Sequence, residues 1–244
     1  MALRIGFDLD GVLADMEAAL VREAETLFGP RLTQPDAQPA TAAHASMSDL
    51  VPAENFDNAP LRHELHLTAR QRRQLWRHVS GIEGFWENLD EIEPGAVTRL
   101  ATLAAERRWE VMFLTRRPPT AGATSQVQSQ RWLEAKGFRL PAVYVVTASR
   151  GLIAAALTLD LVVDDTPENC VDVASDSRAR SIGVFRTQDV PQQALRAMGI
   201  HLVQSTDECL NLLVDIDASL EQQPTEGAIE RVMRTLGLKQ SARA

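Results

Sequence analysis

The chain is short of cysteine, with two in 244 residues, Cys170 and Cys209. They stand in unrelated contexts, neither in a CxxC pair nor in a metal-type cluster, so no disulfide framework or thiolate zinc site is expected. A reducing, cytoplasmic setting is the simplest for such a chain. Positive charge is also in deficit. There are 25 Lys and Arg against 33 Asp and Glu, giving a net charge of −8 and a pI of about 5.2. That balance argues against a general binder of nucleic acid or of anionic membranes. No apolar run reaches 18 residues and no secretory hydrophobic region is found, so neither a membrane span nor a targeting peptide is expected. Internal repeats are absent as well. What remains, 45% hydrophobic and 24% charged residues, is globular in composition and long enough for one α/β core with an insertion.

Apolar patterning sets the elements. Leu3, Ile5, Phe7 and Leu9 alternate with smaller or polar residues, as in a buried strand that ends at Gly11. Residues 15–28 read as a helix stopped by Gly29-Pro30. Residues 29–60 are rich in Pro, Ala, Gln and Ser and read as a long irregular connection. A helix is expected over 68–80, with Thr68 as its N-cap. At 100° per residue, Arg70, Arg73 and Arg77 share one face and Leu75, Trp76 and Val79 the other, with Arg72 on the apolar side.

From about residue 94 the pattern turns regular. Helices are expected over 96–107, 125–136 (capped by Ser125), 151–158, 168–176, 192–198 and 207–214. Strands are expected over 110–115, 142–146, 160–165, 181–185 and 200–203. Strands alternating with helices imply a parallel, Rossmann-like sheet flanked by helices. The expected organisation is an α/β core of residues 1–14 and 94–217, an inserted helical cap of 15–93, and a peripheral helix and tail over 218–244.

In an open parallel sheet, ligands bind at the carboxyl ends of the strands. The first strand ends in Asp8-Leu9-Asp10, then Gly11. Two carboxylates that close repel one another, and both stay ionised only if a cation or hydrogen bonds offset the repulsion. Hard divalent ions take oxygen ligands and suit the task. A lone DxDG also arises by chance, as a strand running into a turn where Asp bonds locally. The other strand ends add weight. One ends in Thr115, followed by Arg116 and Arg117, and another in Asp164-Asp165, with Arg150 opening the helix before it. Carboxylates, a hydroxyl and a cation on one sheet edge suit phosphoryl transfer.

The set resembles the haloacid-dehalogenase-type (HAD) phosphatase superfamily. DLDGV at 8–12, FLT at 113–115 and VVDDTPEN at 162–169 match its first, second and fourth motifs. Arg150, 164 − 150 = 14 residues before Asp164, stands where a Lys is commoner. The resemblance implies Asp8 as nucleophile and Asp10 as general acid and base. It implies Thr115 and Arg150 at the phosphate. Arg116 and Arg117, being adjacent, are expected to diverge, one toward the site and one toward solvent, and Arg116 is taken as the phosphate contact. The resemblance implies Mg²⁺ held by Asp8, Asp10 (through its backbone carbonyl), Asp164 and Asp165. The insertion would be a C1-type cap. Apart from the resemblance, the pattern leaves two places for each of two cap residues: Arg72 either reaches into the cleft toward substrate or lays its stem along the apolar face, and Trp86 either stacks on the substrate or packs between cap and body.

In flavour the chain is closest to the 5′(3′)-deoxyribonucleotidase-like group, through GVLAD and FWENLDEIEPGAV at 85–97. A nucleoside monophosphate is therefore the first substrate expected. A phosphosugar or small-metabolite phosphatase, or a phosphotransferase, is the alternative within the superfamily. A catalytically silent phosphometabolite-binding module is the alternative outside catalysis, and Asp8 and Asp10 both being present counts against it.

Overall fold

A computed structural model describes residues 2–29, 67–187 and 190–222. The expected irregular segment at 29–60 lies outside these residues except at Gly29. The expected peripheral helix and tail at 218–244 lie outside them beyond Gln222.

Six strands form one parallel sheet in the order β3-β2-β1-β4-β5-β6. The strands are β1 (Arg4–Asp8), β2 (Glu110–Thr115), β3 (Ala142–Val145), β4 (Leu161–Asp164), β5 (Arg180–Val184) and β6 (His201–Val203). The helices between them are α3 (Ala96–Arg107), α4 (Ser125–Ala135), α5 (Arg150–Ala156), α6 (Pro167–Asp176) and α7 (Gln192–Ala197), and α8 (Thr206–Gln222) follows β6. The chain steps outward from β1 to β3, then returns to the other side of β1 at β4. That reversal opens a crevice beside β1, the place where such sheets bind ligands.

β1 lies at the centre because its sequence lets it be covered on both faces. Ile5, Phe7 and Leu9 are fully buried, each contributing roughly 1.5–3 kcal/mol relative to exposure. Register brings the functional ends level. Asp8 pairs with Leu114 of β2, next to Thr115, and Phe7 pairs with Val163 of β4, next to Asp164.

Between β1 and α3 the chain forms α1 (Met16–Phe28) and α2 (Ala69–Ser80). Asp15 caps α1 by accepting the Ala18 N–H at 2.9 Å. Thr68 caps α2 in a reciprocal pair with Gln71. As the periodicity predicts, α2 buries Leu75, Trp76 and Val79 and exposes Arg70, Arg73 and Arg77. The two passages of this region cross side by side. The Asp15 N–H donates to the Asp90 carbonyl and the Ile92 N–H to the Leu13 carbonyl, both at 2.9 Å.

Most boundaries fall within one or two residues of expectation, and three differences bear on packing. α4 is capped by Thr124, whose hydroxyl accepts the Val127 N–H; Ser125 is its first helical residue and donates instead to the Pro118 carbonyl. α5 begins at Arg150 itself. α8 runs on to Gln222, because Leu210, Leu213 and Ile216 keep a helical stripe buried beyond residue 214. Among the described residues no helix is long and apolar enough to cross a membrane.

Candidate active site

Two clusters of polar groups meet at the carboxyl edge, one on each side of the β1 end. The first gathers Asp8, Asp164 and Asp165. All three are buried, and each offers an oxygen within 4.8 Å of the others'. Asp8 is the last residue of β1 and Asp164 the last of β4. Asp164 accepts the Thr166 N–H at 2.9 Å, and the Asn169 amide reaches both its oxygens at 3.0 Å. Asn169 lies in the first turn of α6, which Pro167 opens. Asp165 lies against Gly11. A Cβ built on Gly11 would meet Asp165 Oδ2 at 1.6 Å, and Gly11 has φ +84°. Only a residue without a side chain lets the β1 turn pass this close to the acidic pair.

Arg150 faces the cluster from the start of α5. One Nη donates to Asp8, and Nε donates to Asp164 at 3.3 Å. Its position depends on the next residue. A Cβ on Gly151 would fall 2.1 Å from the Asp172 carbonyl oxygen of α6, so α5 and α6 pack backbone to backbone there. Three carboxylates against one guanidinium leave two negative charges in a buried place. Burial, and then the charge of Asp164, push the Asp8 carboxyl well above the usual carboxylate range; Arg150 only partly opposes them. A buried all-oxygen donor set with uncompensated negative charge fits a hard divalent cation.

The second cluster centres on Asp10. β1 ends before it, so Asp10 lies on a turn in which the Leu13 and Ala14 N–H groups both return to the Leu9 carbonyl. Its carboxylate turns away from the acidic trio. It accepts the Thr115 hydroxyl at 3.1 Å, Arg117 Nε at 3.0 and 3.1 Å, and Arg117 Nη2 at 2.7 Å. The Asp10 side chain is thus engaged by Thr115 and Arg117 and is not one of the three carboxylates of the trio.

Of the nine residues expected at the site, the structure brings Asp8, Asp10, Thr115, Arg150, Asp164 and Asp165 together. Arg116 is exposed, and its neighbour Arg117 is the arginine turned inward. Trp86 is fully buried, with its indole N–H on the Pro118 carbonyl, so it presents no free face for a substrate to stack on. Arg72 is half-buried on α2, and its Nε has no hydrogen-bond partner among the described residues. The sequence offers Arg117 only as one of two equivalent candidates, with Arg116, for a contact to substrate, and it offers no role for Asn169. Period-2 alternation carried past Thr115 would have pointed to Arg117, since extended backbone sends residues 115 and 117 the same way.

No protein-family model matches the chain, and no curated protein does. Solved structures do match in fold. A hydrolase from Pseudomonas syringae is 18% identical and covers 88% of this chain and 99% of its own, with a TM-score of 0.50. A HAD family hydrolase from Deinococcus radiodurans R1, solved with bound phosphate and sodium, is 14% identical and covers 87% of this chain and 95% of its own, with a TM-score of 0.51. At these identities the likeness is one of fold. The chain has the haloacid-dehalogenase-like α/β fold.

Proposed function

We propose that the protein is a Mg²⁺-dependent phosphomonoester hydrolase that works through an aspartyl-phosphate on Asp8. One observation carries the reading. A buried carboxylate trio with Arg150 stands on one side of the β1 end, and a separate carboxylate, Asp10, stands on the other. Nucleophile and proton carrier thus sit two residues apart in different environments, as a two-step transfer requires. The phosphate and sodium bound to the similarly folded Deinococcus hydrolase are of the chemical kind these two clusters would take.

In the first step an Asp8 oxygen attacks phosphorus and the ester P–O bond breaks, while Asp10 delivers a proton to the leaving oxygen. In the second, Asp10 takes a proton from water as that water attacks the same phosphorus; the Asp8–P bond breaks and inorganic phosphate leaves. Thr115 and Arg150 hold the transferring group's oxygens. Asp8, Asp164, Asp165 and the Asp10 carbonyl would hold Mg²⁺, whose positive charge would offset the burial, and then the neighbouring carboxylates, that keep Asp8 hard to ionise. The remainder of the substrate would meet the inserted region.

A nucleoside monophosphate is the first candidate, and phosphosugars or other small phosphorylated metabolites suit the same site. The test is phosphate release from a panel of deoxynucleoside, ribonucleoside and sugar monophosphates, with Mg²⁺ and with EDTA, for wild type and Asp8→Asn. Turnover that needs Mg²⁺ and vanishes in Asp8→Asn supports the reading, and the preferred ester names the substrate class. Metal-independent turnover, or ligand binding with no turnover of any ester, would overturn it.

A further inference from the structure

We propose that Arg117 is a positioning residue that fixes the Asp10 carboxylate for proton transfer. This rests on the reading of Asp10 as the general acid. Arg117 is a buried arginine whose side chain is 0% exposed. Nε and Nη2 grip Asp10 with three contacts of 2.7–3.1 Å, and Nη1 donates to Ser129 Oγ at 2.9 Å. Ser129 in turn donates to the Ser125 carbonyl at 2.7 Å, one turn back in α4. The guanidinium also stands over two indoles, 5.0 Å from the Trp86 ring and 5.9 Å from the Trp132 ring. Each indole is itself tied down. Trp86 donates to the Pro118 carbonyl at 3.0 Å and Trp132 to the Leu89 carbonyl at 2.7 Å.

These contacts leave Arg117 one orientation. Its planar fork then leaves the Asp10 carboxylate one orientation, with Thr115 as the fourth contact. Asp10 needs such support because it lies on a turn beyond the end of β1 and its side chain keeps 13% exposure. A proton carrier displaced by about 1 Å can lose on the order of 100-fold in rate.

The experiment measures kcat/KM, with Mg²⁺ present, for an alkyl phosphate and for p-nitrophenyl phosphate. The alkoxide must be protonated as it leaves; the nitrophenolate leaves as a stable anion. The enzymes are wild type, Arg117→Lys, Ser129→Ala, Asp10→Asn and the Arg117→Lys/Asp10→Asn pair. Arg117→Lys keeps the charge and loses the fork. We expect it to fall about 100-fold on the alkyl ester and less than tenfold on the nitrophenyl ester. We also expect no further fall when it is added to Asp10→Asn, since both changes remove one function. Ser129→Ala frees one arm of the fork without changing packing, and should show the same selective loss, smaller in size. If Arg117→Lys does not fold, Ser129→Ala decides.

Equal losses on both esters, or losses that add to those of Asp10→Asn, would make Arg117 a structural residue only and overturn the proposal. A higher KM for both esters at unchanged kcat would make it a phosphate contact instead. If Asp10→Asn itself shows no preference for the nitrophenyl ester, the reading of Asp10 as acid fails first.

Discussion

Replacing Gly11 with alanine separates two physical effects that the structure puts at one position. The first is backbone strain. At φ +84° a residue with a Cβ costs roughly 1–2 kcal/mol. The second is displacement of a side chain. The new Cβ would lie 1.6 Å from Asp165 Oδ2 and 2.5 Å from its Cγ, so the Asp165 carboxylate must leave its place in the trio. An off-rotamer Asp165 adds about 1 kcal/mol, so the total loss is about 2–3 kcal/mol. Gly95 supplies the control. It has φ +87°, yet among the described residues a Cβ there meets nothing within 4 Å, so Gly95→Ala reports strain alone. The assay is urea unfolding of both variants in EDTA and at a Mg²⁺ concentration that is saturating for wild type. At 100 times the dissociation constant, bound Mg²⁺ stabilises wild type by about 2.7 kcal/mol. Each tenfold loss of affinity removes about 1.4 kcal/mol of that. Gly95→Ala should keep the full Mg²⁺ increment and Gly11→Ala should lose most of it. Equal losses in EDTA, with the Mg²⁺ increment intact in Gly11→Ala, would refute the argument that Gly11 exists to admit Asp165.

Gly151→Ala drives a Cβ to 2.1 Å from the Asp172 carbonyl and should cost about 1–3 kcal/mol in urea unfolding. It should also lower phosphate release, because Arg150 is the adjoining residue. Asp164→Asn should abolish the Mg²⁺-dependent rise in Tm, measured by thermal melting with and without EDTA, since one of three buried oxygen donors loses its charge. His201 is held down to about 4 by burial, with Arg196 and Arg180 adding to the effect. A histidine whose folded value lies below its ordinary 6.5 stabilises the fold above pH 6.5. That contribution is lost as pH falls from 6.5 toward 4, up to a bound of about 3 kcal/mol. His201→Gln should therefore flatten the stability profile between pH 4 and 6.5; an unchanged slope would show that His201 is not the group responsible.

The alternation of apolar and polar residues made the sheet legible. β2 and α3 fall at the expected residues because Glu110 and Thr115 bound an apolar run, and Gly95 and the turn at Arg108 bound a helical one. The meeting of Asp8, Thr115 and Asp164 at one sheet edge was legible too, because register fixes them at the same level once the strands are placed. What was not legible depends on partners distant in sequence. α8 reads as ending near residue 214 because Asp215 and Asp217 interrupt its pattern. Asp217 is in fact buried against Arg107 at 3.0 Å, so its charge is compensated by a helix 110 residues away. In sequence Trp86 fits a base-stacking side chain as well as the commoner core contact between cap and body, and periodicity does not decide between them. Its ring is instead consumed by Arg117 and Pro118, neither adjacent in the chain. Arg116 and Arg117 are chemically identical, so residue type does not separate them; strand alternation past Thr115 does, and in the structure Arg116 is exposed and Arg117 buried.

The central claim is that Asp8 forms a covalent bond to phosphorus. Rapid-quench single turnover with a ³²P-labelled ester, at enzyme excess and with Mg²⁺, tests it directly. The account predicts a transient label on the peptide containing Asp8, stable to acid and released by hydroxylamine. The label should be absent in Asp8→Asn and should persist longer in Asp10→Asn, which lacks the base for the second step. Phosphate release at the wild-type rate with no label on Asp8 at any time would mean that water attacks the ester directly, and would contradict the account.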